Sequence, residues 1–288
     1  MAGVTTLSDS VLIGLADGAW QSGESLAQAA GISRAAIHKR IQKLRDAGWP
    51  IEAEAGHGYR LPGGWDRLDA EQLQSRAPQA WQVTVLDETS GTNAWLAEQS
   101  YAGPHLVLAE QQTAGRGRRG RSWHSPPGLN LYASVDWQFD CASSQLGPLG
   151  LVVALSLAAA IDRPDVGIKW PNDLVVDGQK LAGILIEASG ELAGPVRAII
   201  GMGCNAWMRE GPRLDQPWTS LARLGWRGCR TDLATALMQQ LDGDLRRFSE
   251  QGFAPFLPRQ NGVAQNQVPG AVRRARIQPP SMKCRREP

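Results

Sequence analysis

The sequence predicts an α+β fold in two parts: a small helical unit at the N-terminus and a larger domain built on a mixed sheet. Three observations predict it. Residues 9–62 read as three short helices and a hairpin. From Trp81 to Pro258, apolar strand patterns interleave with helices, and beyond Pro258 the periodicity is lost. At 288 residues the chain can bury both cores. The expected units are 1–62, a linker over 63–80 opened by Pro62-Gly63-Gly64, a domain over 81–258, and a basic, unstructured tail over 259–288.

The N-terminal elements follow from local chemistry. Val11-Leu12-Ile13-Gly14-Leu15 predicts a first helix, and Ser22 to Ala30 a second entered by a polar cap. Gly31 ends that helix, and Ser33 can cap a third running to about Ala47. Ile37, Ile41 and Leu44 fall at i, i+4 and i+7 along it, one buried stripe. Ile51 to Leu61 then alternates around Gly56-His57-Gly58 as a hairpin. These are the parts of a winged helix-turn-helix, whose third helix fits a major groove. A charged helix face is usually just solvated, and residues 1–62 have no net basic field. What favours DNA is clustering: Arg34, Lys39, Arg40, Lys43 and Arg45 fall within twelve residues, with no acid until Asp46. The candidate DNA-binding residues are Ser33, Arg34, His38, Lys39, Arg40 and Lys43.

In the second part, strands are predicted at Val83–Leu86, His105–Ala109, Leu129–Trp137, Gly167–Trp170, Leu174–Val176, Leu181–Glu187 and Val196–Gly203. Helices are predicted over Leu146–Ile161 and Thr231–Phe248, covering one side of the sheet. Asp177-Gly178 marks a tight hairpin, since both residue types tolerate positive φ.

Composition narrows the function classes. The apolar run Leu149–Ile161 is too short to span a bilayer, so no membrane role is expected. Met1–Ser10 lacks the pattern of a secretory signal. Cys141, Cys204, Cys229 and Cys284 are scattered, as expected for reduced thiols of a cytoplasmic protein. The net charge of +2 conceals a net of −4 over residues 1–258, because seven cations and one acid lie from Arg259 onward. The mildly basic balance thus comes from the tail.

Two segments carry chemistry. In Gly115-Arg116-Gly117-Arg118-Arg119-Gly120-Arg121, three glycines allow sharp turning and four guanidiniums crowd together. Such crowding calls for an anion, and the arginine fork suits carboxylate and phosphate alike. A mobile RNA-binding Arg-Gly tract is the plain alternative. Against it, the run lies between two strands and continues into Trp123 to Tyr132. The segment is not a Walker A loop, which would need Lys-Ser/Thr where Arg121-Ser122 stands. The second segment is Lys169-Trp170-Pro171-Asn172-Asp173, followed by Lys180-Leu181-Ala182-Gly183. The Asp177-Gly178 turn folds Lys180 back, gathering Lys169, Lys180, Asn172 and Asp173 near one point. A lysine there can neutralise developing phosphoryl charge, and Asp173 could hold Mg2+.

Together with Ser125-Pro126 and Gly128-x-Asn130-Leu131-Tyr132, these motifs resemble the bacterial biotin–protein ligase family. The Ser33–Ile37 helix start resembles its repressor-type members, the bifunctional biotin operon repressors. The resemblance covers roughly residues 9–258 and implies a class II-synthetase-like catalytic domain. It implies ATP and biotin as substrates with Mg2+, and a two-step reaction through biotinyl-5′-AMP. Biotin would then pass to a lysine of the biotin carboxyl carrier protein of acetyl-CoA carboxylase. Operator DNA and a homodimer are implied as well, with the adenylate as corepressor. By motif position Thr92, Asn93, Gln112, Arg116, Gly117, Arg118 and Lys180 carry over as biotin or adenylate contacts, and Trp123 as the aromatic beside adenine. Ser90, Gly91, Arg119, Arg121, Lys169, Asn172, Asp173, Gly183 and Asn205 complete the expected site, with Arg118 and Lys180 catalytic. Two departures stand out. The usual Ser-Thr-Asn reads Ser90-Gly91-Thr92-Asn93 here, so one hydroxyl is displaced or missing and contact at Gly91 rests on backbone. The family's C-terminal SH3-like barrel has no strand pattern past Pro258 and is expected to be absent. That leaves a second reading, a biotin-responsive repressor with impaired ligation. Lipoate or octanoyl transfer is a third, and the arginine loop argues against it.

Overall fold

The computed structural model describes residues 10–190, 194–211 and 216–259. The expected tail and the place of a barrel lie outside the described residues from 260 onward. Arg259, counted with the tail, is ordered against the domain, with its guanidinium 2.7 Å from the Asp244 carboxylate.

The first unit holds α1 (Ser10–Gly14), α2 (Gly23–Ala30), α3 (Arg34–Asp46) and a two-stranded wing, β1 (Glu52–Glu54) with β2 (Gly58–Arg60). Side-chain hydroxyls start both longer helices: Ser22 Oγ accepts from Ser25 N at 3.0 Å, and Ser33 Oγ from Ala36 N at 3.2 Å. Gly31 ends α2 in the left-handed conformation at φ 66°. Ile37, Ile41 and Leu44 close on Val11, Leu12, Leu15 and Leu26. Trp49 and Trp65 meet edge to face at 5.1 Å at the base of this core.

The 63–80 segment corrects the linker reading. It contains α4 (Ala70–Ser75), capped by Asp69, and buries Leu68 and Leu73 in the main core. Two apolar side chains and a cap in one short stretch dock it onto the second unit.

That unit is a seven-stranded sheet formed by β3 (Gln82–Thr89), β4 (His105–Gln112), β5 (Leu131–Phe139), β6 (Gly167–Lys169), β7 (Asp173–Val176), β8 (Gln179–Gly190) and β9 (Val196–Cys204). Its order is β3-β4-β5-β9-β8-β7-β6, and every pairing is antiparallel except β3 with β4. Asp177 and Gly178 turn β7 into β8 at φ 49° and 74°. Strand alternation sends Leu131, Ala133, Val135, Ala198, Ile200 and Met202 to one face, under α6 (Leu149–Ile161) and α7 (Arg230–Gln251). Ser143–Ile161 is apolar and long enough to cross a membrane by composition. In the fold, α6 is a core helix, with Val152, Val153, Ala154 and Leu157 fully buried. The expectation that helices cover only one side of the sheet is corrected. The short α5 (Thr92–Ala97) lies on the opposite face, with Leu96 against Leu86, Val107 and Ile199. Six residues give too little periodicity to be recognised.

One buried arginine ties the parts together. Arg230, wholly inaccessible at the start of α7, is 2.7 Å from Glu110 at the end of β4. It also donates to the carbonyls of Asp66 and Asn130. Glu110 in turn accepts from Leu68 N at 2.8 Å and Trp65 Nε1 at 3.3 Å. Removing one partner of a buried pair leaves an uncompensated charge. Arg230→Leu should therefore lower unfolding stability by about 3–5 kcal/mol in urea titration. A loss under about 1 kcal/mol would contradict this role.

Candidate active site

On the α5 face, three glycines bare part of the middle of the sheet. Gly183 of β8 pairs with Gly203 of β9, and Gly201 pairs with Leu185. A Cβ on Gly203 would lie 2.5 Å from the Trp123 ring, and one on Gly201 would fall on Asn93 Oδ1. The glycines thus let Trp123 and Asn93 lie directly on backbone. Around this floor opens a cleft of about 190 Å³, lined by Ser90–Ala94, Gln112, Arg116–Arg118, Trp123, Asn172, Lys180 and Gly183 among others.

One wall is the start of α5. Gln112 Oε1 accepts from Thr92 N at 3.0 Å, while Gln112 Nε2 donates to Ser125 Oγ at 3.0 Å. Buried Ser134 Oγ stands 2.6 Å from both Thr92 Oγ1 and Asn93 Oδ1. The displaced hydroxyl of the Ser-Gly-Thr-Asn segment is therefore held by β5. Gly91 sits at φ 179°, extended backbone open to any residue.

The other wall is the arginine loop, a tight hairpin. Gly117 N donates to Arg121 O at 2.7 Å, and Trp123 N to Gly115 O at 2.8 Å. Arg116 reaches Glu187 at 3.1 Å, and Arg118 Nη1 donates to Asn172 Oδ1 at 2.7 Å. Arg119 (φ 58°) and Gly120 (φ 73°) turn the tip, leaving Arg119 and Arg121 exposed and outside the cleft lining. Lys180 Nζ crosses the mouth, 5.4 Å from the Trp123 ring centre and 2.9 Å from Asp173 Oδ1. Its backbone bonds both Pro217 and Thr219, strapping residues 217–219 beside it. Desolvation pushes the His124 pKa down.

Besides Arg119 and Arg121, three expected residues stand apart from the cleft lining. Lys169 is exposed and does not line the cleft. Asn205 is buried behind it and donates to Thr219 O at 2.9 Å. Asp173 is committed to Lys180. Among the described residues no group of three or more His, Cys, Asp or Glu could hold a metal ion. Asp173 Oδ1 is buried and faces the Lys180 ammonium at 2.9 Å, so a cation there would compete with Lys180. Sequence reasoning missed Glu187, Ser134, Gly201 and Gly203. The signal for the glycines was Gly201-x-Gly203 within a strand, where period 2 bares one face.

The DNA-binding candidates divide. Arg34, His38 and Lys39 are exposed on α3. Arg40 and Lys43, also exposed, line a second cleft of about 230 Å³ between the units, with Asp87, Glu88 and Glu110 on its other side. Their spacing, i and i+3, puts them on one flank of the helix.

Comparison with known proteins agrees with both halves. Residues 82–205 match the biotin/lipoate A/B protein ligase family, and residues 15–60 match a helix-turn-helix domain. The chain is 38% identical over 262 residues to the bifunctional ligase/repressor BirA of Salmonella typhimurium, covering 88% of this chain and 82% of that one. The chain belongs to the bifunctional biotin–protein ligase/repressor family. The biotin–[acetyl-CoA-carboxylase] ligase of Mycobacterium tuberculosis is 35% identical over 192 residues, covering 61% of this chain and 70% of that one. The Aquifex aeolicus biotin protein ligase, solved in complex with biotin and ATP, is 28% identical with a TM-score of 0.54. That match covers 62% of this chain and 76% of that one.

Adding even one methyl to the floor should displace Trp123. Gly203→Ala is expected to weaken ATP binding about tenfold in calorimetry, the cost of modest overpacking. Unchanged binding would show that Trp123 does not serve the nucleotide.

Proposed function

We propose that this chain is an ATP-dependent biotin–protein ligase and DNA-binding repressor whose ligation chemistry occurs in the glycine-floored cleft. The observation that carries this reading is the convergence of Arg116, Arg118 and Lys180 on one mouth beside an aromatic floor. In the first step the biotin carboxylate attacks the α-phosphorus of ATP, forming the mixed anhydride biotinyl-5′-AMP and expelling pyrophosphate. Two anions must meet, so the barrier is largely electrostatic. Arg118 and Lys180 supply fixed positive charge where it develops, and the arginine loop holds the reactants in line. Asp173 serves by aiming the Lys180 ammonium. Magnesium enters with the nucleotide as MgATP, bound mainly by phosphate oxygens.

In the second step the ε-amine of a carrier lysine attacks the acyl carbon, AMP leaves, and an amide forms. The attacking groups belong to substrate and carrier, so no enzyme nucleophile is needed. The carrier is the biotin carboxyl carrier protein of acetyl-CoA carboxylase. Thr92, Asn93 and Gln112 are assigned to biotin, Trp123 to adenine, and Arg34, His38 and Lys39 to operator DNA. The repressor acts in the cytoplasm as a homodimer on paired half-sites. The division of α3 supports a changed assignment for Arg40 and Lys43, which face the catalytic unit.

Incubation of the full chain with biotin, MgATP and carrier domain, followed by an avidin blot, should yield labelled carrier. Adenylate formation without label would favour a regulator with impaired ligation. Arg118→Gly should speed biotinyl-5′-AMP dissociation roughly ten- to a hundredfold, the cost of losing a charge-assisted hydrogen bond; an unchanged off-rate would remove that assignment. On DNA, Lys39→Ala should reduce the salt slope of operator binding by about one, with a smaller effect from Lys43→Ala. Equal slopes for both variants would contradict the division of the helix.

A further inference from the structure

Glu187 lies just beyond the cleft lining and touches two of the side chains assigned to the ligand. Its Oε2 accepts from Asn93 Nδ2 at 2.7 Å, and its Oε1 stands 3.1 Å from Arg116 Nη2. Strand alternation puts it on the cleft face of β8, in line with Gly183 and Leu185. Each contact answers a need. An Asn side chain can present either its oxygen or its nitrogen, and a carboxylate accepts only from the nitrogen. Glu187 therefore turns the Asn93 oxygen toward Ser134, and Leu185 O, 3.4 Å from the same nitrogen, supports that orientation. Arg116 engages Glu187 through Nη2, leaving its other donors available toward the cleft. Among the described ion pairs of the arginine loop, this is the one that fixes a guanidinium to the sheet.

We propose that Glu187 is a positioning residue that fixes the Asn93 amide and aims Arg116 at the anionic part of the ligand. The inference rests on the assignment of the cleft to biotin and its adenylate. Glu187 makes no contact with the reacting atoms; it acts through its two neighbours. The pair is partly exposed, with 57% of the Arg116 and 40% of the Glu187 side chain accessible, so its value lies in aim more than in stability.

Two substitutions separate the roles. Glu187→Gln keeps an acceptor for Asn93 and abolishes the charge facing Arg116, whereas Glu187→Ala removes both. In biotin-dependent pyrophosphate exchange by the full chain, Glu187→Gln should leave the KM for biotin within about twofold of wild type. Glu187→Ala should raise it about tenfold, with kcat nearly unchanged. Both should speed biotinyl-5′-AMP dissociation, Glu187→Gln about fivefold and without adding to the effect of Arg116→Ala in a double-mutant cycle. Additive effects in that cycle, or a parallel fall in kcat and thermal midpoint for both variants, would overturn the proposal. So would wild-type behaviour of Glu187→Ala. If the wild type itself shows no biotin-dependent exchange, the ligase reading fails instead.

Discussion

The buried pair between Arg230 and Glu110 is the constraint on which the arrangement depends. Neither side chain reaches water, with accessibilities of 0% and 2%, and a charge so placed needs partners in fixed positions. Arg230 obtains them from three separate segments: the end of β4, the start of β5 and the chain that connects the two units. The pair therefore fixes where the connecting segment lies against the sheet, with Trp65 and Leu68 locked onto the same carboxylate. The residues after Glu110 carry the consequence outward. Gln111 donates to Ala47 O at the end of α3, and Gln112 organises the start of α5 in the cleft. Three consecutive residues thus face the core, the DNA-binding unit and the ligand site.

The loop after the arginines makes a second bridge. Trp123 covers the glycine floor, Ser125 meets Gln112, Pro127 packs against Gly48, and Gly128 lies under Trp49 and Trp65. Gly128 has φ 70° and no room for a Cβ beside Trp49, so its identity is fixed twice over. A ligand that moves Trp123 would press on the same loop that carries the helix-turn-helix. The loop that lines the cleft through Trp123 thus also meets the helix-turn-helix unit through Pro127 and Gly128.

Much of this was legible in the sequence because it rests on local chemistry. The capping serines, the Ile37-Ile41-Leu44 stripe, the Asp177-Gly178 turn and the two charged motifs each announce themselves within a few residues. What escaped depends on distant partners. Helix α5 is too short to show a period, and its stability comes from Arg197, which donates to Leu96 O and Gln99 O while paired with Asp136. The packing of residues 63–80 comes from Glu110 and Arg230, far away in sequence. Charge clustering does not separate Lys39 from Arg40 and Lys43, which line the cleft toward Asp87 and Glu88. That Asp173 faces Lys180 at 2.9 Å depends on the β7–β8 register, which the motif alone does not announce.

In the proposed reaction, fixed cationic charge beside the glycine floor drives adenylation of biotin. Exchange of labelled pyrophosphate into ATP tests it most directly, with wild type and Lys180→Ala compared in the presence and absence of biotin. The account predicts biotin-dependent exchange by the wild type. Lys180→Ala should reduce it by about a hundredfold or more, through kcat more than through the KM for biotin. Equal exchange by the two proteins, or exchange indifferent to biotin, would contradict it.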